Sequence, residues 1–384
     1  MQLRKITVDN FKSLVGFELD LAKFTCLIGL NGAGKSTVLQ FIDFLAQLVR
    51  GDIEQWLRDR QWKASELLCK LRPTKRIINF SAILVDDDES EIVWTGAFHP
   101  PYGRLTLETV RAPTVALQVE SGKFTITGDE PFNPISERIA FTYQGSILSQ
   151  LQPKVLPGAL KRLREFFLET ESLDMLSPER LRQRTRTADG SLGRGGRQLS
   201  AFVDELGLAR RKQLSTMLKK AYRQFSGLYS KSLRSGWKEL LATESFRSGI
   251  LKTDARHLND GMLRFIAVLA ELASEHAFVL FDEIENGINP EVVELVLDTL
   301  VNADQQILVT THSPMILNYL LDEVAKRGVM YVYKNKLGRT QALPFFEIPS
   351  LAEKLKVMGP GEAFVDTNLL QLDKEIAQRN GGGA

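Results

Sequence analysis

The sequence contains few of the residues and segments that define several large classes of protein. Among its 384 residues are two cysteines and four histidines, and Cys26 and Cys69 do not have a metal-ligand spacing. No apolar run reaches the roughly 18 residues that a membrane span requires, and the opening MQLRKITVDNFKS has no apolar signal-peptide core. These absences argue against a cysteine metal site, a membrane span and secretion, so we expect a cytoplasmic protein.

Charge is balanced over the whole chain but not along it. The formal net charge is +2, yet residues 151–250 contain 20 lysines and arginines against 10 acidic residues. Such a local surplus attracts polyanions such as nucleic acid, and it is equally compatible with a solvated helical surface. The nucleic-acid interpretation assigns binding to arginines around the glycine loop TADGSLGRGGR, where side chains are expected to be exposed: Arg182, Arg184, Arg186, Arg194 and Arg197.

Hydrophobic periodicity predicts the elements of the first part of the chain. Residues 2–8 and 17–21 alternate apolar and polar residues, which indicates a β-hairpin. Residues 24–29 are a short apolar strand that runs into a glycine-rich loop and then a helix. Residues 76–143 are rich in β-branched and aromatic residues and are broken by turn motifs. They are therefore predicted to form an antiparallel β meander.

The later part of the chain is predicted to be helical and then α/β. Residues 154–250 favour helices around one flexible glycine loop. A helix, a buried strand, a helix and a strand follow at residues 262–274, 277–281, 290–302 and 306–311. This order indicates a nucleotide-binding α/β sheet with material inserted between its two halves. We therefore predict an N-terminal lobe, a basic and mainly helical insert, a C-terminal lobe and a flexible tail at residues 1–150, 151–255, 256–376 and 377–384.

One segment carries a specific phosphate-binding pattern. Residues 29–36, GLNGAGKS, match G-x-x-x-x-G-K-[ST]. In this pattern glycines let backbone N–H groups wrap the phosphates, and the N-terminus of the following helix adds its positive dipole end. Lys35 reaches the β- and γ-phosphates, and the Ser36 hydroxyl binds Mg²⁺. The alternative is a plain glycine-rich turn, and the strand before and amphipathic helix after the motif argue against it.

Two apolar strands in the second half end in residues that suit nucleotide hydrolysis. The run FVLFDE places Asp282 and Glu283 after a buried strand. Asp282 suits Mg²⁺, often through water, and Glu283 is placed to polarise the attacking water. The run QILVTTHS ends near His312, which can hydrogen-bond the γ-phosphate. Because strand-end ligands converge at the carboxyl edge of an α/β sheet, these residues are expected to act together.

The segment LNDGM, residues 258–262, has two interpretations. It precedes an apolar helix, so it is either an anion site at a helix N-terminus or a plain helix cap made by Asn259 or Asp260. Taken alone, the segment favours the cap.

Together these motifs resemble the ABC-type ATPases, and more closely the SMC/RecF branch with its OLD-like (AAA_21-type) ATPases, many of which serve in bacterial anti-phage defence. The resemblance runs from residue 1 to about residue 350. LNDGMLRFIAVLAEL stands where that family has its signature loop and helix, FDEIENGINP resembles its Walker B motif and D-loop, and THSP supplies the switch histidine. The signature departs from LSGGQ, since Asn259 replaces serine and Asp260 replaces glycine, and Asn289 stands where a histidine is common.

The resemblance implies roles for further residues. In that family the loop of ITVDNFKSL flanks the nucleotide, which here means Asn10, Phe11, Lys12 and Ser13. Gln144 is similar in placement to the glutamine that senses Mg²⁺. The residues implied to bind ATP are Lys12, Ser13, Asn31, Gly32, Ala33, Gly34, Lys35, Ser36, Thr37, Asn259 and Gly261. Those implied to hold Mg²⁺ are Ser36, Asp282 and Gln144, and the catalytic residues are Lys35, Glu283 and His312.

The resemblance also implies an assembly and a class of function. It implies an α/β fold, an ABC-type P-loop ATPase head with an antiparallel β subdomain and a mainly helical insert. Two copies, or a higher homo-oligomer, would sandwich ATP, with each signature loop completing the partner's site. The protein would then gate a separate effector, such as a nuclease, in a defence system. The alternative is a RecF-like repair ATPase that acts directly on DNA, whereas a transporter subunit suits the FKS opening, the LNDG signature and the basic insert poorly.

Nothing in the sequence indicates a nuclease site within this chain. After His312 the acidic residues, such as Glu347, Glu353 and Glu362, are scattered and form no D-x-D pair. Two-metal nucleases require a cluster of carboxylates. The run of aspartates at residues 86–88 lies in a predicted hairpin turn, where aspartate is common for conformational reasons. We therefore expect any nuclease chemistry to come from a separate polypeptide.

Overall fold

A computed structural model describes residues 1–173, 176–369, 371, 372 and 376. The tail predicted at 377–384 lies outside the described residues. The chain divides into two compact units. Unit 1 comprises Met1–Thr170, Asp322–Met358 and the described residues from Val365 onwards, and unit 2 comprises Glu171–Leu321 and Gly359–Phe364. This division differs from the predicted one, whose boundaries fell at residues 150 and 255.

The described residues contain the following regular elements. The strands are β1 (Gln2–Asp9), β2 (Phe17–Asp20), β3 (Phe24–Ile28), β4 (Ile78–Val85), β5 (Glu91–His99), β6 (Arg104–Ala112), β7 (Val115–Glu120), β8 (Lys123–Gly128), β9 (Ile135–Arg138), β10 (Thr170–Leu173), β11 (Phe225–Ser232), β12 (Lys238–Phe246), β13 (Gly249–Asp254), β14 (Phe278–Phe281), β15 (Gln306–Thr310), β16 (Val329–Lys334) and β17 (Thr340–Pro344). The helices are α1 (Lys35–Arg50), α2 (Ile53–Arg60), α3 (Gly158–Leu168), α4 (Pro178–Leu181), α5 (Leu199–Glu205), α6 (Gly207–Ala221), α7 (Asp260–Leu272), α8 (Pro290–Val301), α9 (Pro314–Asn318), α10 (Asp322–Gly328), α11 (Pro349–Lys354) and α12 (Pro360–Val365). None of these described helices has the length and apolar character that a bilayer crossing needs.

Unit 1 contains the predicted hairpin and the predicted meander in one antiparallel sheet. Its strand order is β2-β1-β4-β5-β6-β7-β8-β9. Strand β1 pairs with β2 with Lys5 opposite Asp20, and on its other side it pairs with β4. Alternate residues of β4, such as Ile78 and Ala82, are fully buried, because successive side chains of a strand point to opposite faces. The sheet thus covers one side of the unit 1 core.

Helix α1 joins the phosphate-binding motif to that core. Its apolar residues recur with helical spacing, and Phe41 and Phe44 are completely buried. The Phe44 ring lies 5.0 Å from the Phe98 ring in an edge-to-face arrangement, a geometry that aromatic pairs prefer. Strand β3 precedes the motif and pairs in parallel with β16, and β16 pairs antiparallel with β17. The loop before α1 is therefore anchored at both ends.

Unit 2 contains the predicted strands that end in polar residues. Strands β14 and β15 pair in parallel, with Phe281 opposite Val309, and both are fully buried. Both strands point their carboxyl ends in the same direction, so Asp282, which follows β14, and Thr310, the last residue of β15, lie at one edge. Helices α7 and α8 fall where helices were predicted. Parallel pairing in both units agrees with the α/β prediction.

The insert is less helical than the sequence indicated. Residues 225–254 form the antiparallel sheet β11-β12-β13 instead of helices. The run KELLATESF consists largely of helix-favouring residues, yet Leu240 and Ala242 are buried on one face of β12 and pair with β11. Cross-strand pairing and burial against α5 and α6 therefore override local helix propensity, as tertiary context often does.

Candidate functional site

The phosphate-binding motif forms a compact loop at the start of α1, all within unit 1. The helix begins at Lys35, so Ser36 and Thr37 occupy its first turn. The buried Lys35 ammonium donates to the carbonyl oxygens of Gly29 at 2.9 Å and Leu30 at 3.2 Å. These bonds hold the cation across the loop. The remaining positions of the motif include the exposed Asn31 and Gly32 and the buried Ala33.

Gly34 is required by both its backbone and its surroundings. Its φ is +114°, a conformation that residues with a Cβ rarely adopt. A Cβ at this position would lie 2.3 Å from the hydroxyl oxygen of Thr340. That hydroxyl is 2.8 Å from both the Ala33 carbonyl oxygen and Ser13 Oγ. Strand β17 therefore supports the phosphate-binding loop, a contribution that no local sequence pattern indicates.

Lys12 and Ser13, which the resemblance assigned to the nucleotide, lie beside this loop. Ser13 accepts the backbone N–H of Thr340 at 2.9 Å through its carbonyl oxygen. The Lys12 ammonium donates to Gln40 Oε1 at 2.8 Å and lies 3.3 Å from the centroid of the Trp62 ring. Lys12 also has a positive φ of 47°. The backbone strain and the cation–aromatic contact together fix this side chain at the edge of the loop.

Gln144, the residue predicted to sense Mg²⁺, contacts the start of α2. Its Oε1 accepts the backbone N–H of Glu54 at 2.9 Å, at the N-terminus of α2. The first N–H groups of a helix have no partner within the helix, and Gln144 satisfies one of them. Gln144 thus caps this helix, because the segment after the meander lies against α2.

A buried carboxyl anchors the residues that follow Gln144. Glu108 on β6 accepts hydrogen bonds from Trp94 Nε1 at 2.9 Å, Ser146 Oγ at 2.5 Å and the Ile147 N–H at 3.0 Å. Burial raises the pKa of Glu108, although these three donors lower it. Desolvation outweighs the hydrogen bonds because the group is completely enclosed. The segment is therefore fixed to the meander by a group that favours its neutral form.

In unit 2, one hydroxyl holds both predicted carboxylate residues. Thr310, at the end of β15, donates to Asp282 Oδ1 at 2.6 Å and accepts the backbone N–H of Glu283 at 2.8 Å. Glu283 has a φ of +49°, so its backbone lies in the left-handed region. A bulky residue pays a conformational cost there, and such positions cluster at functional sites. Thr310 offsets that cost by pairing the Glu283 amide.

The predicted histidine lies next to the predicted catalytic carboxylate. His312 Nε2 is 3.8 Å from Glu283 Oε1, and both side chains are partly exposed. The Glu285 carboxylate accepts the backbone N–H groups of His312 at 2.8 Å and Ser313 at 3.2 Å. The structure therefore brings together two of the three predicted catalytic residues and shows Glu285 as the group that shapes the histidine loop.

The signature segment is a capped helix N-terminus. Asn259 Oδ1 accepts the Met262 N–H at 2.8 Å, which makes Asn259 the N-cap of α7. A Cβ on Gly261 would lie 2.8 Å from the Gly287 carbonyl oxygen, so the D-loop passes too close for any larger residue. Arg182 stabilises the segment by donating hydrogen bonds to the Leu258 carbonyl oxygen and to the Asp260 carboxylate.

Arg264, on the next turn of α7, was not identified from the sequence. It lines a small pocket together with Asp282 and Glu283. Burial lowers the pKa of the Arg264 guanidinium, while the charges of Asp260 and Glu283 raise it. A basic residue five positions after the N-cap could have suggested a link between the signature helix and Glu283, but charged residues on helices are too common for that signal to be specific.

The predicted nucleic-acid arginines do not form one exposed set. Arg182 binds Asp260, Arg184 pairs with Glu239 and Asp254, and Arg186 lies 5.1 Å from the Trp237 ring. The partial burial of Arg182 and Arg184 corrects the expectation that all five are exposed around a flexible loop, whereas Arg186 is exposed as expected. Arg194 and Arg197 are exposed.

A search of the described residues for clusters of metal-binding side chains found none. They hold no group of three or more histidine, cysteine, aspartate or glutamate side chains arranged for a metal ion. In the aspartate run, Asp86 binds Arg162 and Asp88 accepts from Ser90 within the β4–β5 turn. The run therefore follows turn chemistry, as its sequence context indicated.

Two family models describe parts of this chain. The model described as "AAA domain, putative AbiEii toxin, Type IV TA system" matches residues 150–318, and the model described as "AAA ATPase domain" matches residues 1–97. Among curated proteins the chain is similar to the OLD nuclease of Thermus scotoductus, with 26% identity over 215 residues. That match covers 48% of this chain and 37% of the relative, so the chain spans little more than a third of its length.

Solved structures show the same fold. One is the SMC head bound to the C-terminal winged-helix domain of ScpA, with a TM-score of 0.57, 15% identity, and 90% of this chain and 99% of that chain covered. Another is the Pyrococcus furiosus SMC head with an extended coiled coil, bound to the C-terminal domain of ScpA, with a TM-score of 0.54, 13% identity, and coverage of 92% and 99%. At these identities the likeness concerns the fold alone, which is that of the SMC heads.

Proposed function

We propose that this chain, an OLD-like ATPase of the SMC/ABC type, dimerises around ATP and uses ATP binding and hydrolysis to control a separate effector, a nuclease, in a bacterial defence system. The ATPase assignment is supported by two ATPase family models and by the curated relative. The proposal adds the dimer, the effector and the defence role. The names of the AbiEii-type family and of the OLD nuclease support the last two.

The observation that carries the proposal is the strained, tethered position of Glu283. A carboxylate directly after a buried strand, held at positive φ by Thr310 and 3.8 Å from His312, is arranged for polar chemistry and not for packing. Structural carboxylates rarely need such a backbone, whereas catalytic groups often have one. Glu283 accordingly orients and polarises the attacking water, and His312 hydrogen-bonds the γ-phosphate.

The phosphate-binding loop supplies the other half of the chemistry. On nucleotide binding, Lys35 exchanges its carbonyl partners for the β- and γ-phosphate oxygens, and the α1 N-terminus donates backbone N–H groups to the same phosphates. Mg²⁺ prefers oxygen ligands, and the Ser36 hydroxyl and the Asp282 carboxylate are the candidate ligands in this chain. When bound, the ion neutralises charge that develops on the phosphates.

The signature segment provides the basis for dimerisation. Asn259 and Gly261 lie at the N-terminus of α7, which carries a partial positive charge and attracts anions. In the class that this chain resembles, the segment completes the nucleotide site of a second copy. ATP then holds the two copies together, and its hydrolysis lets them separate. An effector that binds one of the two states would be switched by the nucleotide.

The proposal is tested with Glu283→Gln, which keeps the size of the side chain but removes the base. We expect the variant to bind ATP, to lose turnover and to accumulate as a dimer or higher homo-oligomer in ATP, as measured by light scattering after size exclusion. Glu291→Gln, the same change in the first turn of α8, serves as the control and should hydrolyse ATP normally. Wild-type hydrolysis by Glu283→Gln would remove Glu283 from the mechanism.

The effector is tested by co-expressing the chain with the product of the adjacent gene. We expect a nuclease that co-purifies and whose DNA cleavage changes between wild type and Glu283→Gln in ATP. ATPase activity that is stimulated by gapped DNA without any such partner would instead favour the RecF-like function. Unchanged cleavage in both nucleotide states would overturn the gating part of the proposal.

A further inference from the structure

The three-stranded sheet β11-β12-β13 of unit 2 has one side that faces helices and one side that faces solvent. Leu228 on β11 lies opposite Ala242 on β12, and both side chains are buried. Helices α5 and α6 pack against these strands, and Leu214 and Leu218 of α6 are also buried. The fold therefore accounts for the apolar side of the sheet and leaves the other side without a role.

The solvent side of this sheet carries one tyrosine and two lysines. Successive side chains of a strand point to opposite faces, so Tyr229 and Lys231 on β11 point away from the helices. Tyr229 lies opposite Leu241. Lys252 on β13 lies opposite Thr243, two residues along β12 from Leu241, and therefore shares this side. Tyr229 is 54% exposed, and both lysines are exposed.

Trp237 and Arg186 extend this side of the sheet beyond the start of β12. Thr185 forms a bridge with Lys238, and its hydroxyl lies 3.1 Å from the Ser200 hydroxyl of α5, on the helix side. The adjacent residues Arg186 and Trp237 therefore point to the solvent side, where the Arg186 guanidinium lies 5.1 Å from the Trp237 ring. We call the following residues the open face: Arg186, Tyr229, Lys231, Trp237 and Lys252.

A glycine allows the Tyr229 ring to lie along its own strand. A Cβ at Gly227 would lie 2.8 Å from the Tyr229 hydroxyl oxygen and 2.9 Å from two ring carbons, so the ring occupies the space that a larger residue would fill. The tyrosine nevertheless remains more than half exposed. An aromatic ring that is already oriented suits stacking, because binding then costs little side-chain ordering.

Two carboxylates also lie on this side of the sheet, and both are paired with arginines. Arg184 contacts both Glu239 and Asp254, and Arg256 contacts Asp254 at 2.8 Å. The side chains of Glu239 and Asp254 are only 10% and 15% exposed. The charge that the open face presents to solvent is therefore positive, and it attracts polyanions.

We infer that the open face binds a single-stranded nucleic acid, with bases stacked on Tyr229 and Trp237 and phosphates held by the basic side chains. Trp237 precedes Leu241, the partner of Tyr229, by about 13 Å of strand, so the two rings contact different nucleotides. Exposed aromatic rings within a basic surface bind single strands with little regard to sequence, because every base has a flat face.

Two other polyanions fit the open face less well. In a duplex the bases stack on one another, so their faces cannot reach the two rings. An acidic peptide would use the positive charge but has no requirement for two exposed aromatic rings. Binding at the open face needs no ATP on the phosphate-binding loop, so the inference goes beyond the proposed function and does not depend on it.

The test measures the fluorescence anisotropy of a labelled oligothymidylate of about 12 nucleotides, within the site sizes of such surfaces, with the full chain and without ATP. Tyr229→Ala and Trp237→Ala should each weaken binding by about tenfold, whereas Tyr229→Phe keeps an aromatic face and should bind as the wild type does. The double variant Lys231→Gln, Lys252→Gln should bind more weakly, and its dependence of log Kd on log salt should fall by about 0.7 per lysine.

Tyr102→Ala and Lys123→Gln are the matched controls, because both residues are exposed and lie in unit 1. Both should bind the oligothymidylate with wild-type affinity. Each variant of the open face should keep the ATPase activity of the wild type, which shows that it is folded. If an aromatic variant fails to fold, the variant of the two exposed lysines still provides the test.

Three results would overturn the inference. The first is a wild-type chain that does not bind the oligothymidylate, and the second is wild-type affinity in the alanine and lysine variants. The third is a duplex of the same length, or polyglutamate, that binds as tightly as the single strand. Absence of ATPase activity in the wild-type chain would instead overturn the proposed function, and oligothymidylate binding would still support the inference.

Discussion

Replacing Thr310 by valine should disable hydrolysis without preventing ATP binding. The Thr310 hydroxyl donates to Asp282 Oδ1 at 2.6 Å and accepts the Glu283 N–H at 2.8 Å, and the residue is completely buried. Valine has nearly the same shape but offers neither bond. Asp282 then loses a donor to its carboxylate, and the strained Glu283 loses the group that holds its backbone.

General values for hydrogen bonds set the expected size of both effects. A hydrogen bond to a charged group contributes about 1.5–3 kcal/mol, and a buried N–H left unpaired costs about 1–3 kcal/mol. Because Asp282 and Glu283 are only partly buried, water can replace part of these bonds, and we expect the free energy of unfolding to fall by about 2–4 kcal/mol. Removing a partner that orients a metal ligand typically lowers activity by about 10–100-fold, and we expect a fall in kcat of that size.

The assay combines steady-state ATP hydrolysis with calorimetric ATP binding and urea denaturation. Thr310→Ser keeps the hydroxyl and should restore most of the kcat. The matched control is Thr299→Val, because the Thr299 hydroxyl bonds only to a helix carbonyl, that of Leu295, at 2.6 Å. It should keep the wild-type kcat.

Two outcomes would refute this reasoning. The first is a Thr310→Val enzyme with wild-type kcat, which would mean that Asp282 and Glu283 keep their positions without the hydroxyl. The second is an equal loss of kcat in Thr310→Val and Thr299→Val. That result would show a general loss of stability in unit 2 and not a specific effect on the carboxylates.

Two further predictions concern unit 1. Lys35→Ala should abolish ATP binding measured by calorimetry, since it removes the buried cation of the loop, whereas Lys123→Ala, an exposed lysine on β8, should not. Burial raises the pKa of Glu108 above its ordinary value of 4.5, so the unfolded chain ionises this carboxyl first as the pH rises. The contribution of Glu108 to the free energy of unfolding is therefore fully present at pH values below 4.5, and it is lost as the pH rises through the pKa of the folded state. Thermal melts between about pH 4 and pH 8 should therefore show a smaller pH-dependent loss for Glu108→Gln than for wild type, and identical slopes would contradict the raised pKa.

Local sequence patterns predicted the parts of the fold whose conformation is determined by residues close to one another in sequence. The strand β3, the loop and α1 follow one another directly, so the phosphate-binding pattern and the apolar periodicity were enough to place Lys35 at a helix N-terminus. The same holds for β14 with Asp282, and for the capping role of Asn259. In each case the residues that determine the conformation lie within a few positions of one another.

The groups that the sequence did not indicate act over long separations. Thr340 supports Ala33 from 307 residues away, and Thr310 pairs with Glu283 across two strands. A lone threonine in an apolar strand has no pattern that marks it as a partner of a carboxylate. The sheet at 225–254 was missed for a related reason, since its pairing and burial are decided by neighbours outside the local run. The bond from the Glu54 N–H to Gln144 was also not indicated, because it depends on where α2 lies.

The long separation between Ala33 and Thr340 has a consequence during synthesis. The ribosome makes about 5–20 residues per second, so the loop emerges roughly 15–60 s before the strand that supports it. Over that interval the apolar strand β3 has not yet met β16, its parallel partner in unit 1, and unit 2 is made in between. Nascent chains thus lack the Thr340 contact that supports the loop until β17 appears. Because pairing over such a separation in sequence is slow, the yield of active protein should depend on translation speed more than its final stability suggests.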